Sequence, residues 1–236
     1  MIKPYWLCSC DEVMNTLPQS RQAIYKNYLW EPGQRIGVAW SGGSYGLRDA
    51  VAAIAEEWPA SIDWDWGADW NDADIRVELF GRGGWSYIGA VAKQVRRGSA
   101  TMRLGWAQWA FDNDDLINLR ALVLHEFGHA LGLVHEHLHP ANTLDWNLSA
   151  MRAYYVDTLG WKWGDVERTW LTRLDDANHF FRPYNSPSVM HYPVERRFLL
   201  SGAGVPFAWN LSGADRDVVA DLYPGKISNK IYLPVV

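Results

Sequence analysis

The chain has 236 residues, of which 48% are hydrophobic and 21% charged, and its formal net charge is -5 at pH 7. This composition is that of a globular protein and excludes an intrinsically disordered chain. The acidic balance and the scattered Lys and Arg residues argue against nucleic acid or a membrane as a partner. We expect a monomeric protein with a single domain over residues 1–236.

The two cysteines, Cys8 and Cys10, are only two positions apart, which makes a disulfide between them geometrically awkward. A fold held together by disulfides is therefore not expected. The first residues lack the apolar run of a signal peptide, and no stretch approaches the roughly 18 apolar residues of a transmembrane helix. We predict a cytoplasmic protein or one exported without a leader, with a secreted mature form as the alternative.

Fifteen tryptophans are many for a chain of this length. One interpretation is a set of platforms that stack on sugars or aromatic ligands. Because the tryptophans share no common spacing, we favour a structural role instead. In that role the rings cover a loop-rich core while their N–H groups reach backbone acceptors.

The predicted elements begin with a helix at Leu47–Trp58, where apolar residues recur at helical spacing. Ile75–Phe80 and Ala100–Gly105 alternate apolar and polar residues as half-buried strands do, and the second is predicted to be an edge strand. Asp114–Leu131 carries the strongest helical pattern, with acidic residues at its start and an apolar stripe along one face. Ser212–Tyr223 is predicted as a final helix with Ser212 as its N-cap.

Between these segments the periodicity weakens, and short helices are predicted after Asp145 and Asp165. The predicted fold class is α+β with two lobes. The N-terminal lobe, about residues 1–132, would hold a twisted mixed sheet and two helices. The C-terminal lobe, about residues 133–236, would be mostly irregular with short helices and the final helix. A cleft between them would lie beneath the helix that ends at Gly132.

The segment from His125 to His135 reads His-Glu-x-x-His-x-x-Gly-x-x-His without a gap. His125 and His129 share one face of the helix, so both can bind one ion. Gly132 can adopt a left-handed conformation that ends the helix and turns His135 back to the metal. Three protein ligands with an open position are typical of catalytic zinc, whereas structural zinc has four.

Glu126 follows the first histidine directly, so its carboxylate can approach a water molecule at the metal without being a ligand. This position suits a general base that later acts as an acid. Five fixed residues of this kind arise rarely by chance, which favours one catalytic Zn²⁺ over histidines that serve only the core. The nearby His137, His139 and His191 are predicted to be structural or to line the cleft.

Two further segments carry a family resemblance. Ser188–Tyr192 reads Ser-Val-Met-His-Tyr and resembles the Met-turn of metzincins. Gly84–Gly89 is similar to the Gly-Cys-Trp-Ser-Tyr-Val-Gly segment of astacins, although Gly84 stands where those proteins have cysteine. With Glu136 directly after the third histidine, the sequence resembles the astacin-like metzincins, which are zinc metalloendopeptidases.

The resemblance implies further roles. Met190 would form an apolar floor beneath the histidines, and Tyr192 would be a displaceable fifth zinc ligand that then hydrogen-bonds the oxyanion. A structural phenol bonded to backbone is the alternative for Tyr192. Glu136 pairs with the freed N terminus of the mature enzyme in astacins. The predicted substrates are proteins or peptides, cut at internal bonds while aligned antiparallel to the Ala100–Gly105 strand.

Several alternatives remain open at this point. Arg196 and Arg197 raise the hypothesis of a preference for acidic side chains just after the cut. Cys8 or Cys10 could bind zinc as an inhibitory thiolate, but ordinary near-terminal cysteines are the favoured interpretation. The acidic loops leave Ca²⁺ as an alternative second metal, although none has an EF-hand pattern. The rival functions are a zinc amidase acting on cell-wall peptides and an inactive, zinc-stabilised binding module.

Overall fold

The computed structural model of the chain describes residues 28–174 and 181–225. Cys8 and Cys10 lie outside these residues. The first lobe is built on a five-stranded sheet in the order β2-β1-β3-β5-β4. The first four strands in this order pair in parallel, and β4 pairs antiparallel with β5. The strands are β1 (Arg35–Ser41), β2 (Asp63–Asp65), β3 (Ile75–Glu78), β4 (Gly84–Ser86) and β5 (Met102–Leu104).

The centre of the sheet is apolar. Val38 of β1 lies opposite Ile75 of β3, and Val77 of β3 lies opposite Met102 of β5. All four side chains are buried. A parallel sheet covered by helices needs such continuous apolar strands, since little of its surface meets water. The mixed sheet predicted from the sequence is therefore confirmed.

The strand β4 lies at one edge of the described sheet, and β2 lies at the other. The strand β5 has neighbours on both sides, so the prediction that Ala100–Gly105 is the edge strand was wrong. Alternation in this segment reflects one buried face, with Met102 and Leu104, and an opposite face where Arg103 pairs with Glu78 at 2.7 Å. Alternation is the same for edge and inner strands, so it could not decide the position.

Three helices cover the sheet: α1 (Tyr45–Ala55), α2 (Ala107–Asp112) and α3 (Leu116–Ala130). The sequence predicted two, and α2 is an additional short helix that begins after Trp106 at φ 69°. In α1 the hydroxyl of the N-cap Ser44 accepts the Leu47 amide at 3.2 Å. Nearly every residue of α3 from Leu119 onward is buried, as expected for a helix enclosed by the core.

The second lobe contains short helical segments joined by irregular chain. They are α4 (Leu148–Met151), continued by a π-helical segment at Arg152–Thr158, and α5 (Trp163–Val166), continued likewise at Glu167–Leu171. Turns of 3₁₀-helix lie at Glu136–Leu138 and Arg196–Phe198. The last helix, α6 (Gly213–Leu222), begins at the predicted N-cap Ser212, which forms a capping box with Asp215.

Tryptophan and tyrosine side chains hold the end of α3. The Trp30 indole donates to the Ala130 carbonyl at 2.7 Å, and the Tyr223 hydroxyl donates to the Leu131 carbonyl at 2.8 Å. These carbonyls are among those that a helix end leaves without an intrahelical partner. Trp58 donates to a carbonyl of the same helix at 3.0 Å. For Trp30 and Trp58 the structural interpretation is confirmed. Within the described residues, no helix is long and apolar enough to cross a membrane.

Candidate metal centre

Three buried histidines converge on one point. His129 Nε2 lies 3.2 Å from His125 Nε2 and 3.1 Å from His135 Nε2. The candidate ligand atoms of the three residues all lie within 4.8 Å of one another. Tetrahedral zinc with bonds of about 2.0–2.1 Å to nitrogen holds its ligand atoms roughly 3.3 Å apart. The two distances from His129 Nε2 are therefore close to those expected around a zinc ion.

Hydrogen bonds at the opposite ring nitrogens fix the orientation of two of the rings. His125 Nδ1 lies 2.8 Å from the Val189 carbonyl oxygen, and His129 Nδ1 lies 2.8 Å from that of Leu133. A carbonyl oxygen only accepts, so each Nδ1 carries the proton and each Nε2 presents a lone pair to the metal. Burial lowers the pKa of His125 to about 4 and that of His129 well below its usual value, which keeps both rings neutral near pH 7.

Gly132 provides the predicted turn between the second and third histidines. Its φ is +98°, in the left-handed region that favours glycine. The Gly132 amide donates to the His129 carbonyl at 2.8 Å, and the Leu133 amide donates to the Gly128 carbonyl at 3.0 Å. These bonds close the helix end, so the chain reverses and brings His135 to the same point as the helical pair.

The Glu126 side chain is fully buried between α3 and the edge strand β4. Burial raises the pKa of its carboxyl well above the usual value. A divalent cation held by the histidines would act in the opposite direction, because it favours the charged carboxylate. The pKa of the Glu126 carboxyl would therefore depend on whether the metal is bound.

Met190 lies directly under α3. A side chain at Gly128 would clash with Met190 Sδ and would lie 3.0 Å from the Trp58 ring. The missing side chain at Gly128 is therefore what allows the Met-turn to approach the helix between the first two histidines. The Met190 carbonyl also accepts the Glu136 amide at 3.0 Å, so the turn is held to the chain that follows the third histidine.

Tyr192 is 2% exposed and packs against the histidines. Its ring centroid lies 4.4 Å from that of His135 and 5.9 Å from that of His125. On another side it stacks on His137 at 4.5 Å, with an angle of 20° between the planes. The structure thus brings Tyr192 together with the predicted metal ligands.

Solved structures match the chain, whereas comparisons with family models and with curated proteins found no match. A structure of myroilysin matches with a TM-score of 0.78 and 30% identity, over 87% of this chain and 100% of that one. A crystal structure of myroilysin matches with a TM-score of 0.62 and 30% identity, over 85% and 87% of the two chains.

The chain belongs to the astacin-like metzincins. It is a zinc metalloendopeptidase, and its cofactor is one Zn²⁺. The fold is also similar to that of high choriolytic enzyme 1, a hatching enzyme zinc-protease from the medaka fish Oryzias latipes. That match has a TM-score of 0.54 and 17% identity, over 88% of this chain and 100% of the other, and it supports the fold alone.

The other histidines near this astacin-like site bind backbone groups. His137 Nε2 donates to the Thr169 carbonyl at 2.7 Å, and His139 Nε2 donates to the Arg182 carbonyl at 2.8 Å. His191 Nδ1 donates to the Tyr192 carbonyl at 2.6 Å. These bonds support the prediction that the three histidines are structural or line the cleft.

A pocket lies beside this astacin-like zinc site, and its lining includes the candidate ligand His135 and two acidic residues, Glu136 and Asp215. One Glu136 carboxylate oxygen accepts the Asn185 amide at 2.7 Å. Burial, together with the nearby Asp215 and despite the Asn185 bond, raises the pKa of Glu136 to about 7. The residues that line the pocket include Val134, His139, Phe181, Pro183, Ser188 and Val218.

The two arginines proposed for specificity are exposed. Arg197 already pairs with Glu195 at 3.0 Å, and its guanidinium lies 4.3 Å from the centre of the Tyr154 ring. Its charge is therefore partly neutralised before any substrate arrives. Arg196 precedes it in the same 3₁₀ turn.

Sequence reasoning missed two parts of the centre. One is Asp215, whose carboxylate accepts hydrogen bonds from the Met-turn at Ser188 and Val189. Asp215 is the third residue of α6, and nothing in the sequence pointed to its contact with the Met-turn. The other is the close approach of Gly84 to Glu126, which only the packing of β4 on α3 reveals.

Proposed function

We propose that the chain hydrolyses internal peptide bonds of proteins, with His125, His129 and His135 as zinc ligands and Glu126 as general base and acid. The observation that carries this proposal is the convergence of three Nε2 atoms on one point, with a buried carboxyl on the residue that follows the first ligand. The fit of the nitrogens to zinc and the similarity to myroilysin support it.

A zinc ion bound there would polarise the scissile carbonyl and lower the pKa of the attacking water. Glu126 accepts the proton of that water as it attacks the carbonyl carbon. Glu126 then passes the proton to the nitrogen of the leaving amine, so one carboxyl serves both steps. The burial of Glu126 suits this exchange, because a carboxyl shielded from bulk water returns its proton to the substrate rather than to solvent.

Tyr192 is proposed as a zinc ligand in the resting enzyme that later donates its hydroxyl to the developing oxyanion. Its ring centroid already lies 4.4 Å from that of His135. Met190 is proposed to support the rings from below through its contact with Gly128. We expect Tyr192→Phe to lower kcat by about 10²- to 10³-fold, as for the loss of one oxyanion donor, with KM changed much less.

The extended substrate is proposed to pair with β4, which lies at one end of the described sheet and packs on the zinc-binding helix α3. Main-chain hydrogen bonds to Gly84–Ser86 would hold the peptide, and pockets beyond the zinc would select its side chains. Arg196 is the better candidate for a contact with an acidic side chain after the cut, because Arg197 is paired with Glu195. A cleavage profile of a peptide library would reject this idea if Arg196→Gln leaves the preference unchanged.

The test of the main proposal combines zinc analysis with casein cleavage. Wild type should contain one zinc per chain, and a chelator should abolish cleavage. Glu126→Gln should retain the zinc and lose about 10²–10⁴-fold in kcat. Glu31→Gln, the same change at an exposed site, should leave both unchanged.

Other outcomes would favour the rival functions. Zinc with no cleavage of casein but cleavage of peptidoglycan would point to an amidase. Zinc with no hydrolysis of either substrate would point to a binding module. We propose that the chain acts as one monomeric catalytic unit, which sedimentation of the active enzyme would test.

A further inference from the structure

The phenol ring of Tyr192 is enclosed by aromatic rings from both sides of the chain's second lobe. Its centroid lies 4.4 Å from that of His135, 4.5 Å from that of His137 and 5.5 Å from that of Trp170. The plane of His137 lies 20° from that of the phenol, against 48° for His135 and 63° for Trp170. Tyr192 is 2% exposed and His137 is 0% exposed. Of these three rings, His137 is therefore the one that offers its flat face to the phenol.

The His137 ring is held in place independently of Tyr192. Its Nε2 atom donates to the Thr169 carbonyl at 2.7 Å. Thr169 lies in the last turn of the π-helical segment Glu167–Leu171, where carbonyls are left without a partner within the helix. The main-chain carbonyl of His137 also accepts a hydrogen bond from the Asn142 side chain at 2.5 Å. Because both its ring and its main chain are fixed, His137 forms a rigid platform beside the phenol.

The other ring nitrogen of His137 has no hydrogen bond in the part of the chain that the structure describes. The Nδ1 atom is buried and has no partner within residues 28–174 and 181–225. Since Nε2 carries the proton that goes to Thr169, a second proton on Nδ1 would be buried without an acceptor, so the ring is neutral. His137 is also not one of the three histidines whose nitrogens converge. Apart from the Thr169 bond, its contribution to the site is its aromatic face.

We propose that His137 is a positioning residue whose ring face holds the Tyr192 phenol beside the predicted zinc ligands. The proposal rests on the proposed role of the Tyr192 hydroxyl at the oxyanion. Offset-stacked rings are stabilised beyond the burial of their surface by an amount equivalent to about 2- to 10-fold in population. A phenol without this face would occupy other positions, and a displacement of about 1 Å costs up to about 100-fold in rate. Binding of the peptide should depend less on His137, because the hydroxyl acts on charge that develops in the transition state.

Two substitutions separate the ring face of His137 from its hydrogen bond. His137→Phe keeps a flat face and loses the donor to Thr169, whereas His137→Gln keeps a donor and loses the face. We expect His137→Gln to lower kcat by about 10-fold and to change KM by less than about threefold, and His137→Phe to retain kcat within about threefold. In the Tyr192→Phe background, His137→Gln should change kcat by less than about twofold, because the hydroxyl that the ring positions is gone.

His139→Gln is the matched control. His139 Nε2 also donates to a main-chain carbonyl, that of Arg182, at 2.8 Å. The rings that His139 contacts are those of Phe181 and Tyr184, and not that of Tyr192. The same substitution at this neighbouring histidine should therefore keep kcat within about threefold of wild type.

Three kinetic results would overturn the proposal. The first is full kcat in His137→Gln. The second is a loss of kcat in His137→Phe as large as that in His137→Gln, which would assign the effect to the bond with Thr169. The third is an equal effect of His137→Gln with tyrosine and with phenylalanine at position 192, which would assign it to a general change in the fold.

Nuclear magnetic resonance of the metal-free protein gives a readout that needs neither zinc nor activity. The face of His137 should shift the ring-proton resonances of Tyr192 upfield, and their loss in Tyr192→Phe assigns them. They should move downfield in His137→Gln and stay upfield in His137→Phe. Unmoved resonances in His137→Gln would contradict the stacking. If His137→Gln fails to fold, His137→Phe should still fold and retain kcat, and failure of both variants to fold would reject the proposal.

The proposed role of Tyr192 is judged separately by Tyr192→Phe. Full kcat in Tyr192→Phe would reject the role of the hydroxyl, and the role of His137 with it. A low kcat in Tyr192→Phe together with full kcat in His137→Gln would reject only the role of His137.

Discussion

Ser188 Oγ lies 2.5 Å from Asp215 Oδ1, and this hydrogen bond joins the Met-turn to the first turn of α6. The second carboxylate oxygen of Asp215 accepts the Val189 amide at 3.1 Å and the Ser212 amide at 2.9 Å. The Val189 carbonyl in turn accepts the Nδ1 proton of His125. A continuous set of hydrogen bonds therefore runs from the last helix to a zinc ligand.

Replacement of Asp215 should destabilise the protein strongly. In Asp215→Ala two buried donors, at Ser188 and Val189, and the half-buried Ser212 amide lose their acceptor. Each buried hydrogen bond to a charged group contributes about 1.5–3 kcal/mol. We expect the free energy of unfolding to fall by about 3–5 kcal/mol, measured by urea denaturation. Asp217→Ala, an exposed position on the same helix, should change it by less than about 1 kcal/mol. Equal effects of the two changes would contradict this account.

Gly132→Ala should weaken zinc binding as well as stability. Its φ of +98° is strained for alanine, and the β-carbon would lie 2.7 Å from Leu29 Cδ2. Such strain costs about 1–3 kcal/mol, and relief of it would move His135 away from the other ligands. Gly160→Ala is the control, because Gly160 has a φ of +75° with nothing within 4 Å of the added carbon. Competition with a fluorescent zinc chelator should show weaker binding only for Gly132→Ala.

Met190 should tolerate a change of shape but not a loss of volume. Met190→Leu nearly conserves volume and should cost less than about 1.5 kcal/mol of unfolding free energy. Met190→Ala leaves a cavity beside Gly128 and Trp58 and should cost about 2–5 kcal/mol. Urea denaturation of the zinc-loaded protein gives both values. A leucine variant as unstable as the alanine variant would mean that the sulfur itself is required.

The metal-free protein should lose stability as the pH falls below about 6.5. Burial lowers the pKa of His125 and His191 to about 4 and that of His137 to about 3, against about 6.5 in the unfolded chain. Between these values the unfolded chain binds more protons, so each histidine reduces stability by up to about 1.4 kcal/mol per pH unit as acid is added.

Two carboxyls oppose this trend. Burial raises the pKa of Glu126 well above its usual value and that of Glu136 to about 7, so their contribution to stability is lost as the pH rises from about 4.5. They are outnumbered by the histidines, and the net effect of acid between pH 6.5 and 4.5 is destabilising. Urea midpoints in the presence of EDTA at pH 7.5, 6 and 5 test this. A midpoint that rises toward pH 5 would show that the carboxyls dominate.

The metal site could be predicted because its ligands are local in sequence. The three histidines lie within one short segment, and the turn at Gly132 follows from the preference of glycine for positive φ. The helix α6 was equally accessible, since Ser212 and Asp215 form a capping box that the sequence displays. In both cases the interactions that fix the structure lie within a few residues.

The parts that were not predicted depend on contacts between distant segments. The strand β1 (Arg35–Ser41) was missed because a short, mostly apolar run does not distinguish a strand from buried helix or loop. The place of Met102–Leu104 inside the sheet depends on its pairing with β3 and β4, which no local pattern encodes. The second role of Asp215 requires that α6 pack beside the Met-turn.

The aromatic donors at the end of the zinc helix have a consequence for how the chain folds. Trp30, Trp58 and Tyr223 reach carbonyls of that helix across 100, 66 and 92 residues of sequence. Contacts of such long range form slowly, because the loops between them must close first. We therefore expect the helix to form early while its histidine-bearing end stays open to water until both flanks of the chain arrive. Competence to bind zinc tightly would then be acquired in the last step of folding.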